Sequence, residues 1–300
     1  MKLICPCENL FSENIKSSLN KMFKCNFSNL NQKKFDKIFH NYEIILLRFS
    51  HKLKFKKKNK IKFILSPTTG TNHIDKRYFK NKDIKIITLK DYKKFLNTVS
   101  ASTEFTITLI LLTLRKIKNI LKLKNREKFI GSEIYKKKVG IIGMGRIGNK
   151  ISKILNAFEA SIYSYDKENK KNKYSKNTSL NYILKNCDII TINIPLVPKN
   201  YNFLNIQKLK KLKKNCILIN TSRGEVVDEK FAVNLAKKKK IFYSADVIKN
   251  EYQKNISALK NYNRIDNLIY TNHIAGLTNE SILKTDNFIL NKFKLIYEKL

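Results

Sequence analysis

One stretch, residues 139–166, constrains the fold of this chain more than any other. It opens with the apolar run VGII and continues into three glycines, Gly143, Gly145 and Gly148, spaced G-x-G-x-x-G before a helix-like segment. In such a strand–turn–helix, the first glycine permits the tight turn, the second lets a pyrophosphate approach the backbone, and the third lets the helix pack closely on the strand. The helix N-terminus adds unpaired N–H groups and a positive dipole end. The stretch therefore predicts a dinucleotide-binding site.

A second apolar run follows and ends at Asp166, 18 residues after Gly148. A carboxylate about 20 residues beyond the last glycine is suited to binding a ribose 2′-hydroxyl. A lone G-x-G-x-x-G is weak evidence, but this one is framed by strand, helix, strand and acid. We therefore predict a Rossmann-type nucleotide-binding domain here.

Short apolar runs alternate with helix-like segments on both sides of this stretch. The alternation predicts an α/β protein with mainly parallel sheets, and 300 residues are enough for two domains. Residues 100–120 are predicted to form one long helix, apolar nearly all round and therefore buried on more than one side. Asp228 is the predicted cap of a helix that runs to Lys240. The predicted strands include residues 42–49, 61–65, 84–89, 188–194, 216–220, 241–247 and 268–271.

The chain is strongly basic, with a formal net charge of +39. Such a charge normally suggests that the protein binds nucleic acid or an anionic membrane. Only seven of the basic residues are arginine, the residue that nucleic-acid sites recruit for bidentate and stacking contacts. Lysine is spread throughout the chain, together with abundant Asn and Ile, and all three residues have A/T-rich codons. We therefore attribute the positive charge to a genome rich in A and T. The alternative is a surface that binds polyanions. We expect no nucleic-acid partner.

The cysteines and apolar runs argue against metal and membrane roles. Five cysteines at irregular spacing indicate reduced thiols, and Cys5-Pro6-Cys7 has no nearby His or second Cys pair for a zinc site. The start lacks the apolar core of a signal peptide. The longest apolar run, residues 105–114, is too short to span a bilayer. We predict a cytoplasmic protein without a metal or a membrane partner.

Three polar residues, Arg223, Glu251 and His273, follow late strands, where ligands bind in open α/β sheets. Arginine can bind a carboxylate with two parallel hydrogen bonds. Histidine can exchange a proton near neutral pH, and an adjacent carboxylate favours its charged form. Hydride transfer to a 2-oxo acid needs an anchor for the carboxylate, a proton donor to the developing alkoxide, and a nicotinamide. The alternatives are structural: a surface ion pair for Arg223, a loop charge for Glu251 and a helix cap for His273.

Several ordered motifs between about residues 60 and 285 resemble the D-isomer-specific 2-hydroxyacid dehydrogenases, a family that includes phosphoglycerate dehydrogenase, glyoxylate/hydroxypyruvate reductases and D-lactate dehydrogenase. The resemblance implies two open parallel-sheet α/β domains. A Rossmann-type NAD-binding domain, residues 99–276, is inserted into a smaller flavodoxin-like substrate domain, residues 1–98 and 277–300. The motifs are SPTTGTNHID (66–75), EFTITLILLTLR (104–115), VGIIGMGRIG (139–148), CDIITINIPLVP (187–198), INTSRGEVVD (219–228), ADVIKNE (245–251) and TNHIAG (271–276).

The resemblance also implies residue roles. Arg223 is similar to the arginine that orients the substrate carboxylate, His273 to the proton donor and acceptor, and Glu251 to the acid that hydrogen-bonds this histidine. Backbone groups at Thr69 and Gly70 would contact the substrate carboxylate.

The implied cofactor contacts lie mainly in the inserted domain. Asp166 matches the ribose acid and favours NAD over NADP. Asn193 and Phe105 depart from the family, which often has His at both positions, and no proline follows Glu251. The remaining implied contacts are Arg146 and Ile147 at the pyrophosphate, Thr221, Ser222 and Asp246 at the nicotinamide end, and Pro195, Arg223, His273 and Gly276.

We therefore predict a homodimeric NAD-dependent oxidoreductase that transfers a hydride between nicotinamide and C2 of a D-2-hydroxy acid or 2-oxo acid. The alternative is a non-catalytic NAD(H)-sensing regulator on the same fold. Consumption of NADH with a panel of 2-oxo acids discriminates between the two.

Overall fold

A computed structural model describes residues 1–120, 130–170, 172–251, 262 and 264–299. The chain divides into two compact units. Unit 1 comprises Met1–Ser100 and Leu277–Leu300, and unit 2 comprises Ala101–Gly276. Unit 2 is thus inserted between the two parts of unit 1.

Unit 1 is built on a five-stranded parallel sheet in the order β2-β1-β3-β4-β5. This is the flavodoxin-like order. Alternate strand residues face opposite sides, so Leu3 and Cys5 pack with helices α1 and α10, whereas Ile4 packs on the side of α2. The strands are β1 Lys2–Cys5, β2 Lys24–Phe27, β3 Ile44–Leu46, β4 Phe63–Ser66 and β5 Lys85–Thr88, and the helices are α1 Glu13–Asn20, α2 Gln32–Ile38, α3 Lys93–Leu96 and α10 Asn279–Tyr297.

Unit 2 contains a seven-stranded parallel sheet in the order β12-β11-β10-β9-β6-β7-β8. The chain runs from β6 outward to β7 and β8, then returns to the other side of β6 as β9. The point between β6 and β9 is where ligands bind in doubly wound sheets. The strands are β6 Lys138–Ile142, β7 Ser161–Tyr165, β8 Lys176–Asn177, β9 Ile189–Ile192, β10 Ile217–Asn220, β11 Phe242–Ala245 and β12 Leu268–Tyr270.

Helices cover both faces of this sheet, which confirms the predicted fold class. Residues of α4 and α6 pack in one hydrophobic cluster, and those of α7, α8 and α9 pack in the other. The helices are α4 Ala101–Leu114, α5 Ile117–Ile120, α6 Arg146–Ala157, α7 Leu180–Asn186, α8 Ile206–Leu209 and α9 Glu229–Lys237.

Two predicted helix bounds were wrong, for the same reason. The helix predicted over residues 100–120 ends at Leu114, because Lys116 takes a left-handed conformation with φ of 52°. The helix predicted to reach Lys240 ends at Lys237, and Lys239 is left-handed with φ of 53°. A left-handed residue ends the α-helical hydrogen-bond pattern. The Asp228 cap is confirmed, since its Oδ1 accepts a hydrogen bond from Phe231 N at 3.1 Å.

Lys93–Leu114 is long and apolar enough, by length and composition, to cross a membrane. In the structure this stretch is α3 and α4, separated by residues 97–100. Helix α4 packs against α6, β10 and β11 of unit 2. The hydroxyl of Thr113 lies 2.7 Å from that of Ser244 on β11, and both residues are buried. Because a core helix meets the same criteria, the match carries no membrane assignment.

Candidate active site

The glycine-rich turn between β6 and α6 is shaped by two glycines that the protein itself requires. Gly143 has φ of 96°, and its N–H donates to Tyr165 O at 2.8 Å. A Cβ at Gly143 would lie 2.7 Å from Asn193 O, and one at Gly148 would lie 2.1 Å from Gly143 O. Both distances are far below van der Waals contact, so side chains are excluded at these positions.

Gly145 differs, because a Cβ there would meet no heavy atom within 4 Å. It is the exposed N-cap residue of the 12-residue helix α6 and, as a glycine, supplies no side-chain cap. The open space at this N-terminus suits a phosphate bound by backbone N–H groups. Arg146 and Ile147, the first residues of α6, are half-buried, and burial lowers the pKa of Arg146. The turn therefore fits a dinucleotide pyrophosphate.

Asp166 directly follows β7 and is tied to the glycine-rich turn. Its Oδ2 accepts a hydrogen bond from Met144 N at 2.7 Å, and its Oδ1 accepts one from Glu168 N at 2.8 Å. A carboxylate offers about four acceptor sites. Asp166 can therefore hold the turn and still accept hydrogen bonds from ribose hydroxyls.

The turn that carries Arg223 is organised by Asn220, a fully buried residue that the sequence did not single out. Asn220 Oδ1 accepts from Ser222 N at 3.1 Å and from Ser222 Oγ at 2.8 Å, and its Nδ2 donates to Arg223 O at 2.9 Å. Arg223 Nη1 donates to Ser222 O at 2.6 Å. Thr221 Oγ1 lies 2.9 Å from Thr106 Oγ1 on α4. The available signal was a polar residue that ends an apolar strand.

His273 and Glu251 form a hydrogen-bonded pair. His273 Nδ1 lies 3.0 Å and 3.1 Å from the two carboxylate oxygens of Glu251. Their side chains are 17% and 11% exposed, so the pair is largely shielded from solvent. His273 has φ of 52°, a conformation that a non-glycine residue adopts only when its surroundings hold it there.

Asp246 holds the histidine turn. It follows β11 and is fully buried, and its main-chain oxygen accepts from His273 N at 2.7 Å. Its Oδ1 accepts from Thr271 Oγ1 at 2.6 Å and Ile274 N at 2.9 Å, and its Oδ2 accepts from Ala275 N at 2.8 Å. Burial raises the pKa of the Asp246 carboxyl, although these donors favour its charged form. The family resemblance implied only a place for Asp246 at the nicotinamide end, and its part in the turn was not predicted.

The other predicted residues lie in both units. Thr69 is exposed and Gly70 half-buried in the unit 1 loop after β4, where Thr68 Oγ1 donates to Gly70 O at 2.9 Å. Pro195 is exposed after β9, and Gly276 is the last residue of unit 2. Within the described ranges, no three His, Cys, Asp or Glu side chains group closely enough to hold a metal ion.

The predicted unit 2 residues share one edge of the sheet. The glycine-rich turn, Asp166, Pro195, the Arg223 turn, Asp246 and the His273 turn follow β6, β7, β9, β10, β11 and β12 respectively. Because all seven strands are parallel, their carboxyl ends lie at the same edge. One edge therefore carries the glycine-rich turn and the part-buried His273–Glu251 pair.

Comparisons with known proteins agree with this geometry. Residues 107–275 match the family described as "D-isomer specific 2-hydroxyacid dehydrogenase, NAD binding domain". The chain belongs to the D-isomer specific 2-hydroxyacid dehydrogenases. Its cofactor is therefore NAD, as predicted, and its class is that of NAD-dependent oxidoreductases.

Individual members of the family resemble the chain over most of its length. A 2-hydroxyacid dehydrogenase homolog from Zymomonas mobilis subsp. mobilis is 30% identical over 251 residues, which cover 77% of this chain and 74% of the relative. Erythronate-4-phosphate dehydrogenase from Wigglesworthia glossinidia brevipalpis is 30% identical over 298 residues, which cover 97% of this chain and 72% of the relative. The structure of D-lactate dehydrogenase from Aquifex aeolicus, complexed with NAD and lactic acid, shares the fold with a TM-score of 0.81, at 24% identity and covering 100% and 96%.

Proposed function

We propose that this protein transfers a hydride between NAD and C2 of a D-2-hydroxy acid or its 2-oxo acid. The observation that carries the proposal is the His273–Glu251 pair on the sheet edge that also bears the dinucleotide-binding turn. When bound, the nicotinamide supplies or accepts the hydride. Gly145, Arg146 and Ile147 would hold the pyrophosphate, and Asp166 the ribose.

The chain's own residues supply binding and the proton. Arg223 binds the substrate carboxylate with two parallel hydrogen bonds, and Asn220 fixes the backbone from which it projects. In reduction, protonated His273 donates a proton to the substrate oxygen, and in oxidation it accepts one back. Proton transfer is assigned to Nε2 because Nδ1 is bound to Glu251. Glu251 fixes the plane of the histidine ring through its hydrogen bonds to Nδ1.

We further propose that the substrate carries a phosphate group. The erythronate-4-phosphate dehydrogenase aligns with 97% of this chain, so its similarity extends into unit 1, which contains Thr69 and Gly70. The net charge of +39 also favours approach of a multiply charged anion.

A substrate panel tests these proposals. NADH consumption would be followed with glyoxylate, hydroxypyruvate, pyruvate and 3-phosphohydroxypyruvate, and NAD reduction with D-erythronate 4-phosphate. We expect turnover, with kcat/KM highest for a phosphorylated acid. Preference for an unphosphorylated acid would contradict the phosphate proposal alone. Tight NADH binding without turnover of any acid would contradict the enzyme proposal and favour the NAD(H)-sensing regulator.

We also propose that the protein forms a homodimer, as the family resemblance implies. Unit 2 exposes large apolar side chains that a partner chain could cover. Ile130 is 79% exposed, and Tyr135 is 48% exposed. Helix α4, apolar nearly all round, leaves Phe105, Leu111 and Leu112 half-buried.

A further inference from the structure

Glu229, the first residue of α9, directs both carboxylate oxygens away from its own helix. Its Oε2 accepts a hydrogen bond from Lys249 N at 2.6 Å, and its Oε1 accepts one from Tyr262 OH at 3.1 Å. Lys249 and Tyr262 lie on either side of Glu251 in the chain. The Glu229 carboxylate therefore fixes the backbone at Lys249, two residues before Glu251. It also fixes the side chain of Tyr262, which follows Glu251 in the chain.

The segment around Glu229 contacts the same loop at two further points. A Cβ at Gly224 would lie 2.0 Å from the carbonyl carbon of Ile248, so the two backbones are in close contact. Glu225 Oε1 accepts from Asn250 N at 3.2 Å. Asn250 itself is left-handed, with φ of 55°. Residues 224–229, which follow Arg223, thus hold residues 248–250, which precede Glu251.

A purely helical role does not account for Glu229. An acid in the first turn of a helix can interact favourably with the helix dipole, but Asp228 already caps α9 through its bond to Phe231 N. Burial raises the pKa of the Glu229 carboxyl, so keeping an acid here has a cost. Its two hydrogen bonds to the loop are the features that only this side chain supplies.

We propose that Glu229 is a positioning residue that fixes Glu251, and through it His273, in the geometry of the acid–base pair. This inference rests on the proposed function. The His273–Glu251 hydrogen bond is 3.0 Å long, so a loop displacement of about 1 Å would break it. Without its carboxylate partner, the His273 ring would no longer be held in one orientation.

The test compares Glu229→Ala with Glu229→Gln. The glutamine can accept from Lys249 N and donate to Tyr262 OH, so it keeps the geometry without the charge. Lys230→Ala is the matched control, because Lys230 is exposed on the same helical turn. For Glu229→Ala we expect kcat for 2-oxo acid reduction to fall by about tenfold or more, with the KM for the 2-oxo acid and the NADH dissociation constant unchanged. Glu229→Gln and Lys230→Ala should keep the wild-type kcat.

A wild-type kcat in Glu229→Ala, or a glutamine variant as impaired as the alanine variant, would overturn the proposal. If Glu229→Ala fails to fold, Tyr262→Phe decides, since it removes one of the two bonds. It should lower kcat by a smaller factor, and an unchanged kcat would then overturn the proposal.

A second readout does not depend on turnover. The Nδ1 resonance of His273, which reports the hydrogen bond to Glu251, can be followed by NMR of protein labelled with ¹⁵N-histidine, with assignment by His273→Gln among the four histidines. We expect this resonance to move in Glu229→Ala and to stay unchanged in Glu229→Gln. An inactive wild type would contradict the proposed function, whereas this spectrum would still test the positioning role.

Discussion

At the scale of single residues, the three glycines of the fingerprint have different reasons to be glycine. Gly143 and Gly148 are required by the protein, because a Cβ at either would collide with backbone oxygen. Gly145 has open space where a Cβ would point. The fold therefore explains two glycines, and we propose that contact with the cofactor explains the third.

Gly145→Ala and Gly148→Ala should therefore fail in different ways. Gly145→Ala should change the free energy of unfolding by less than about 1 kcal/mol but weaken NADH binding at least about tenfold. Gly148→Ala should lower the free energy of unfolding by about 1–3 kcal/mol, because the helix must move away from the turn. Urea denaturation and NADH fluorescence titration measure the two effects. Unimpaired NADH binding by folded Gly145→Ala would contradict the phosphate assignment.

Arg223 is the residue on which substrate binding is predicted to depend most. Arg223→Ala should lower kcat/KM for every accepted 2-oxo acid by about a hundredfold or more, because a charge-assisted bidentate contact is lost. Arg223→Lys should recover only part of the lost kcat/KM, since an ammonium group cannot form two parallel hydrogen bonds to a carboxylate. Arg264→Ala, at an exposed position, is the control. Unchanged kcat/KM in Arg223→Ala would exclude the anchoring role.

Asp166 is predicted to set the preference for NADH over NADPH. A 2′-phosphate would face this carboxylate, so Asp166→Ala should lower the ratio of kcat/KM for NADH to that for NADPH by about tenfold. Asp166→Asn keeps an oxygen that can accept from Met144 N, and it separates the charge effect from loss of the turn contact. A ratio unchanged in both variants would show that Asp166 does not contact the ribose.

At the scale of elements, a buried ion pair joins the end of β3 to the C-terminal helix of unit 1. Arg48 Nη2 lies 2.6 Å from Asp286 Oδ1 on α10, and neither residue is more than 6% exposed. Arg48 also donates to Thr285 Oγ1 and Pro67 O, and Asp286 Oδ2 accepts from Ser12 N. Burial raises the pKa of Asp286, and Arg48 opposes that rise. These bonds hold α10 to the N-terminal part of unit 1.

Removing one member of this pair should lower the free energy of unfolding more than removing both members. Asp286→Ala leaves the Arg48 charge buried without its carboxylate, and it should lower the free energy of unfolding by about 3–5 kcal/mol. The double variant Arg48→Met with Asp286→Ala should recover part of that loss. Urea denaturation measures both. An Asp286→Ala variant as stable as the wild type would mean that the pair does not secure α10.

At the scale of the whole molecule, the proposed homodimer is directly testable. Sedimentation velocity at several protein concentrations should give twice the mass of one chain. Ile130→Lys should shift the equilibrium toward the monomer, because a charge would enter an apolar contact, whereas Phe79→Lys, at an exposed apolar position of unit 1, should not. A single-chain mass at all concentrations would disprove the dimer.

The sequence by itself determined the features that depend on neighbours along the chain. The dinucleotide turn requires glycine at fixed spacing, the α/β class follows from alternating apolar runs, and the Asp228 cap requires only the next helical turn. The ordered motifs identified the family and NAD. Helix ends at Leu114 and Lys237 were missed, because left-handed lysines carry no signal comparable to glycine.

Only the tertiary structure decided how the His273–Glu251 pair is held. His273 depends on Asp246, Arg223 on Asn220, and the loop before Glu251 on Glu229, the last across 20 residues of sequence. The strand order brings these side chains to one sheet edge, and local pattern does not encode the directions in which their oxygens point. A buried carboxylate finds its donors through packing between strands, and the sequence alone does not show which donors those are.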